Sequence, residues 1–296
     1  MNSLLAKKIE AGDFIITAEY LPDTNIDSIP FETFKKTGAV AINVADNPYG
    51  PIISSLAAAV RMQQEDIEPV LQIVTRDRNR IALQSDILGA VSLGVKNILC
   101  LSGYHQSLSN LPESANVYDI DSIQLINSIN RMKTEKVLMN GKKIEGKFSV
   151  LVGAVANPYL RPLDLNILRL MKKVKAGANF IQTQAVFNTT DFKEWLDAAH
   201  HEGLTEKAAF IAGIYPLASY DEAIALLEKH TDFYIPNSHI QRLKDAGTPD
   251  EQKKMGIAIC VETIKKIKGM KGLSGIHIIS GGKEDVISEI ITEAGL

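Results

Sequence analysis

Short apolar runs rich in valine and isoleucine recur along the chain, each followed by a stretch with helical periodicity. "FIITAEY" (14–20), "AINVAD" (41–46), "PVLQIVT" (69–75), "NILCLS" (97–102), "FSVLVGAVA" (148–156), "FIQTQAVF" (180–187), "AAFIAGIYP" (208–216) and "GIHIIS" (275–280) read as strands. Apolar runs of this kind mark strands buried on both faces, as in a parallel sheet covered by helices. Helices are predicted at "IPFETFKKTG", 51–65, 78–94, 163–177, 190–203, 220–229 and 283–295, with Pro51 in the first turn of the second. Eight β–α units within 296 residues predict an α/β chain folded as one closed (β/α)8 TIM barrel domain spanning 1–296. A doubly wound sheet is the alternative, but it usually has fewer strands, and no G-x-G-x-x-G follows the first strand. Two insertions interrupt the rhythm. Residues 104–147 hold a polar loop, a helix near "DIDSIQLINSINRMKTE" and a hairpin at "MNGKKIEG"; residues 230–270 add helices before the last strand.

Composition narrows the function. A hydrophobic fraction of 45% supports a large core, and a net charge of −3 argues against a nucleic-acid or anionic-membrane partner. No apolar run approaches the ~20 residues of a membrane span. The start, "MNSLLAKKIEAGDF", lacks the apolar core of a signal peptide, so a cytoplasmic protein is expected. Cys100 and Cys260 stand alone in apolar runs, as buried thiols do in a reducing compartment. The six histidines show no metal-ligand spacing, and no phosphate-binding P-loop is present. His200 and His201 end a helix and read as solvated, His239 as structural, and His277 as packed within or against the last strand.

In such barrels the active site lies at the C-terminal ends of the strands. The residues predicted there are Glu19, Asp46, Asn47, Gln72, Thr75, Tyr104, His105, Asn157, Gln184, Tyr215, Tyr220 and Ser280. Most are neutral hydrogen-bonding groups. Glu19 is a carboxylate ending the first strand, where a charge must be solvated, paired or functional. Gln184 either caps its strand or binds a ligand. Lys172 and Lys173 lie on a helix face, and near a barrel rim such a pair can hold a diphosphate. A neutral polar pocket with one prominent acid suits an organic cofactor or a heteroaromatic substrate better than a metal.

"ITAEYLP", "AINVADNP", "TRDRNR", "LCLSG", "VYDIDSIQLI", "KKVKAGANFIQTQAVF" and "GIYPLASY" follow one another in that order. Together they resemble the methylenetetrahydrofolate reductase family over nearly the whole chain. The resemblance implies a (β/α)8 barrel with noncovalent FAD that passes a hydride to 5,10-methylenetetrahydrofolate. It implies that Glu19 protonates the folate N10 as the five-membered ring opens, because the resulting iminium cation is the hydride acceptor. Gln184 matches a glutamine touching both flavin and folate, and Tyr220 an aromatic over the folate. Ala45, Asp46, Asn47, Gln72, Thr75, Leu101, Ser102, Gly103, Asn157 and the Lys172/Lys173 pair fall where the family holds FAD, with His105 a loop residue near it. Electrons would come from NAD(P)H or from a partner subunit carrying iron–sulfur centres, and an oligomer is expected.

Four positions depart from the family pattern. Tyr104 stands where typical members carry Asp, beside the flavin pyrimidine and the pterin. Gln72 replaces a common His, and Asn166 and Arg169 replace residues used near the cofactor. A carboxylate after "LSG" disfavours reduced anionic flavin and favours the cationic folate, whereas a phenol stacks or donates a hydrogen bond. The alternative is therefore a family-like flavin- or folate-binding subunit without standard reductase turnover, working in a methyl- or electron-transfer assembly.

Overall fold

The computed structural model describes residues 3–229 and 234–296. Eight parallel strands close into a barrel in chain order. They are β1 Ile15–Tyr20, β2 Ala41–Val44, β3 Pro69–Val74, β4 Asn97–Leu101, β5 Leu151–Ala156, β6 Phe180–Ala185, β7 Ala209–Ile214 and β8 Leu273–Ile278. Closure comes from β1 pairing with both β2 and β8, so that Thr17 sits beside Ala41 on one side and His277 on the other. The helices are α1 Leu4–Ala11, α2 Phe31–Lys35, α3 Ser55–Gln64, α4 Arg80–Ser92, α5 Ser122–Thr134, α6 Leu163–Ala176, α7 Thr189–His201, α8 Tyr220–Lys229, α9 Asn237–Asp245, α10 Pro249–Ile267 and α11 Ile287–Glu293. None of the described helices is long and apolar enough to cross a membrane.

The expected barrel is present, with its strands where the apolar runs lie. Several helical assignments change. Pro51 precedes α3 by a full turn, because the Ser54 side chain accepts from the Ala57 amide and caps the helix there. The helix expected inside the first insertion is α5, the crossover between β4 and β5, with Leu125, Ile126, Ile129 and Met132 in the main core. Only a loop and one short 3-10 turn at Gln106–Leu108 are added before it. The hairpin at "MNGKKIEG" is a single antiparallel bridge, Val137 to Lys143.

After β7 the assignments exchange places. The segment 220–229 was expected to cover the barrel, with the following helices as the insertion. In the fold, α10 lies against the barrel, placing Ile257, Val261, Ile264 and Ile267 in the main core. Helices α8 and α9 are the addition: Ala223 and Leu243 join a separate cluster with Phe187, Leu217 and Ile259. Helical periodicity reveals an apolar face but not the layer that receives it. Residues 230–233 of that predicted insertion lie outside the described residues.

One element carried no helical expectation. Helix α1 starts at Ser3, whose hydroxyl accepts from the Ala6 amide, and ends at Gly12 with φ 72°. Its Leu4 and Leu5 amides donate to the Glu68 carboxylate at 2.6 and 2.9 Å. Leu5 and Ala6 pack with Ile15, Val70, Leu99, Leu151, Phe180 and Ile211, which fill the lower barrel interior. Gly153 is required in this layer, since any Cβ there would enter the Phe180 ring. Leu5→Ala should therefore open a cavity and cost about 2–5 kcal/mol. Urea unfolding of parent and variant measures it; an unchanged midpoint would remove α1 from the core.

Candidate active site

The inward positions of the strands alternate, and above the apolar layer they turn polar. Asn43 Nδ2 donates to Gln182 Oε1 at 2.7 Å, Gln182 Nε2 donates to Thr17 Oγ1 at 3.1 Å, and Thr17 Oγ1 lies 3.0 Å from His277 Nδ1. All four side chains are buried. Burial holds the His277 pKa down to about 3, so this layer is neutral at physiological pH. Sequence reading took His277 as packing and passed over Thr17, Asn43 and Gln182. The signal was a set of polar residues at inward positions of otherwise apolar strands.

One step higher on β1, two residues after Thr17, stands Glu19. Its Oε2 accepts from the Gly281 amide at 3.3 Å. Burial raises its pKa from 4.5 to about 7, assisted by the Glu284 charge and opposed by the Gly281 amide and Lys283. A carboxyl so placed can hold or release a proton near neutrality, as a general acid must. Nearby, Lys283 Nζ pairs with Glu222 at 2.6 Å, and the Tyr215 hydroxyl donates to the same carboxylate at 2.8 Å.

Two adjoining cavities open at this end. The smaller, about 180 Å³, is lined by Glu19, Gln72, Tyr104, Gln182, Gln184 and His277 among others. The larger, about 320 Å³, runs outward past Ala45, Asp46, Ser102, Gly103, Asn157 and Lys173. Glu19, Gln72, Leu101, Tyr104 and Gln184 border both. At their common wall Gln184 Nε2 donates to the Tyr104 hydroxyl at 3.1 Å, joining the ends of β6 and β4.

Tyr104 is held through its backbone carbonyl by Arg76, a residue of the "TRDRNR" run that also borders the larger cavity. The Arg76 side chain is 2% exposed and forms a two-point pair with Asp77 at 2.7 and 2.9 Å. Its remaining N–H groups reach the Tyr104 and Asn47 carbonyls at 3.2 and 2.6 Å. "TRDRNR" gave the basic residues but not which of them turns inward. Arg78 pairs with Asp46, whose carboxylate also accepts from the Val74 amide at 2.8 Å and the Ser55 hydroxyl at 3.1 Å.

Other predicted residues separate. Thr75 is buried behind the wall, because strand alternation turns it opposite to the cavity-facing Val74; its Oγ1 has no hydrogen-bond partner. Asn47 adopts φ 48° and contributes its carbonyl to Arg76 rather than a side chain to the cavities. His105 is exposed and caps the 106–108 turn, with its ring against Ser107 and Asn116. The lysine pair divides across α6. Lys173 Nζ donates to the Val155 carbonyl at 2.6 Å inside the larger cavity, and burial lowers its pKa to about 8. Lys172, one residue and about 100° away on the helix, lines a separate outer cleft beside α5. Tyr220 opens α8, its amide bound to Gln252 Oε1 at 2.8 Å and Lys244 lying 5.7 Å over its ring. It lines neither cavity. Asn166, a departure from the family pattern, braces the β5 loop by donating to the Asn157 and Leu160 carbonyls at 2.8 and 3.2 Å.

The residues fit a flavin dinucleotide in kind. Lys173 is a cation with no carboxylate partner among the described ion pairs, and Ser102, Ser122 and Asn157 supply neutral hydrogen-bonding groups. Gly103, at φ 82°, keeps the chain bare at the edge of the wall.

Comparison with known proteins agrees with this architecture. The family model for methylenetetrahydrofolate reductase matches residues 4–295. A probable methylenetetrahydrofolate reductase (NADPH) from Caenorhabditis elegans is 23% identical over 311 aligned positions, covering 100% of this chain and 44% of the relative. Methylenetetrahydrofolate reductase 2 of Schizosaccharomyces pombe is 24% identical, covering 82% of this chain and 38% of the relative. The chain thus spans less than half the length of these curated relatives. A solved structure from Clostridium thermocellum, described as an uncharacterized protein that binds two copies of 5-methyl-5,6,7,8-tetrahydrofolic acid, shares the fold. It superposes with a TM-score of 0.66 at 14% identity over 99% of this chain and 98% of that one. The match along almost the entire barrel establishes that the chain belongs to the methylenetetrahydrofolate reductase family.

Proposed function

We propose that this protein reduces 5,10-methylenetetrahydrofolate to 5-methyltetrahydrofolate with noncovalent FAD. One observation carries the reading: a carboxyl with pKa about 7, Glu19, shares a cavity wall with Gln184 at the end of the barrel. Ring opening of the substrate needs a proton at N10, and Glu19 is the group poised to give it near neutral pH. Gln184 and Tyr104, bonded to each other, orient the ligands where the cavities meet. The neutral floor of Thr17, Asn43, Gln182 and His277 leaves the charge on the substrate without a competing cation beneath it. Lys173, Ser102, Ser122 and Asn157 would hold the dinucleotide in the larger cavity. The chemistry a bound flavin supplies is hydride transfer to the methylene carbon. Family membership and the folate-binding neighbour support the substrate class.

A second reading is favoured by Tyr104 itself. A neutral phenol where the family resemblance implies Asp, in a barrel whose structural neighbour is described as binding 5-methyltetrahydrofolic acid, fits a folate- or flavin-binding subunit without reductase turnover. The absorbance of the purified protein near ~450 nm, followed by anaerobic reduction and mixing with methylenetetrahydrofolate, separates the two. Reoxidation by the folate supports the reductase; a flavin band that the folate leaves reduced supports the subunit.

Glu19→Gln should keep the flavin spectrum and slow folate reduction by about 10²–10⁴-fold. In the parent the rate should fall as pH rises through about 7, where the acid form is lost. Stability should move the same way. The folded pKa lies above the unfolded value of 4.5, so the native state binds the proton more tightly, and stability declines as pH rises between those values. Glu19→Gln should flatten that decline and add about 1–3 kcal/mol at pH 8 by denaturant titration. A parent-like rate and pH profile in the variant would refute the assignment of the acid.

Tyr104→Asp places a negative charge at the Gln184 wall. It should lower the midpoint potential of bound flavin by tens of millivolts, since 30 mV is about 1.4 kcal/mol for two electrons. Tyr104→Phe should change it much less. Redox titration of the three proteins in one buffer checks this, and an unmoved Tyr104→Asp potential would place Tyr104 away from the flavin.

A further inference from the structure

The family resemblance places an aromatic over the folate at the position of Tyr220, yet Tyr220 packs against α9 and α10 and lines neither cavity. The smaller cavity draws aromatic rings from elsewhere: Tyr49, Tyr104 and Tyr215. Tyr104 and Tyr215 stand at the ends of strands β4 and β7 and bond through their hydroxyls. Tyr104 receives Gln184, and Tyr215 donates to Glu222 while Lys283 lies 4.4 Å from its ring.

Tyr49 comes from a loop, the one between β2 and α3, and with Pro48 it lines the smaller cavity. The loop is strapped to the β4 side, because the Tyr49 carbonyl accepts from the Asn110 amide at 2.6 Å. Its ring carries Lys229 of α8 at 4.2 Å from the centroid. Tyr49 lines the cavity and Lys229 does not, and the cation steadies the ring by its attraction for a π face. Leu226, one turn earlier on α8, does reach the same cavity. The added helix α8 and the β2 and β4 loops therefore converge on one ring above Glu19.

We infer that Tyr49 is the stacking wall for the planar ring of the folate, in place of Tyr220, with Lys229 and Asn110 as its positioning residues. The inference rests on the folate reading above. A cavity of about 180 Å³ that offers an acid and three glutamine side chains suits one fused heteroaromatic ring with hydrogen-bonding edges. Such a ring gains most from an offset stack on a neutral aromatic held in place.

The test is equilibrium binding of 5-methyltetrahydrofolate to the full chain, with the ligand's near-ultraviolet absorbance recorded on binding. Tyr49→Ala should weaken binding about three- to tenfold and abolish the hypochromic change that stacking produces. Tyr49→Phe should keep both within about twofold of the parent. Lys229→Met should weaken binding about two- to threefold, with Lys229→Arg restoring it. Tyr220→Ala should match the parent. Thermal melting confirms that each variant is folded. A Tyr49→Ala protein that binds like the parent, or a Tyr220→Ala protein that loses as much as Tyr49→Ala, overturns the assignment while leaving the folate reading intact. A parent that does not bind 5-methyltetrahydrofolate overturns that reading and the assignment with it.

Discussion

A single buried guanidinium ties together the loops that make the mouth. Arg76 leaves the end of β3, takes Asp77 as its counter-charge, and bonds the backbone carbonyls of Asn47 beyond β2 and Tyr104 beyond β4. A cation this deeply buried is tolerated only when its donors are met, and removing one partner of such a pair typically costs about 3–5 kcal/mol. The position of Tyr104, its contact with Gln184, and the common wall of the two cavities all follow from that anchor. Arg76 borders the larger cavity and acts on the mouth through backbone that it holds.

The electrostatics of the interior are arranged in tiers. The lowest is apolar, the next is neutral and hydrogen-bonded, and the first ionisable acid appears only where the cavities begin. His277 is kept uncharged by burial, so no cation lies beneath Glu19 to pull its pKa down. Lys283, which lowers it from the side, is also paired with Glu222. The near-neutral carboxyl is thus chiefly a product of its own burial, which the Gly281 amide and Lys283 offset only in part.

How much of this could be read from the sequence differs by level. The strands were legible because buried parallel strands leave unbroken apolar runs, and Glu19 and Gln184 because a strand's last inward residues must meet the mouth. Adjacent residues were harder. Lys172 and Lys173 are one step apart on a helix and face different sides, and Thr75 and Val74 divide in the same way on a strand. A motif names such pairs together, whereas the fold uses one member of each. The role of α8 was hidden for another reason: its amphipathic pattern fits either the barrel layer or the cover above the mouth, and the choice is made by α10, which brings more apolar surface to the barrel. Helix α1 is short, and its docking depends on Glu68, far away in sequence.

Helix α1 also gives the barrel a direction. With Leu5 and Ala6 seated in the lower layer, the interior is stoppered at the foot, and the two cavities beside Glu19 open at the rim. That end gives Glu19, Gln182 and His277 a common cavity. A ligand that covers the rim therefore lies between solvent and Glu19, and the carboxyl's proton exchange is then with that ligand rather than with bulk water.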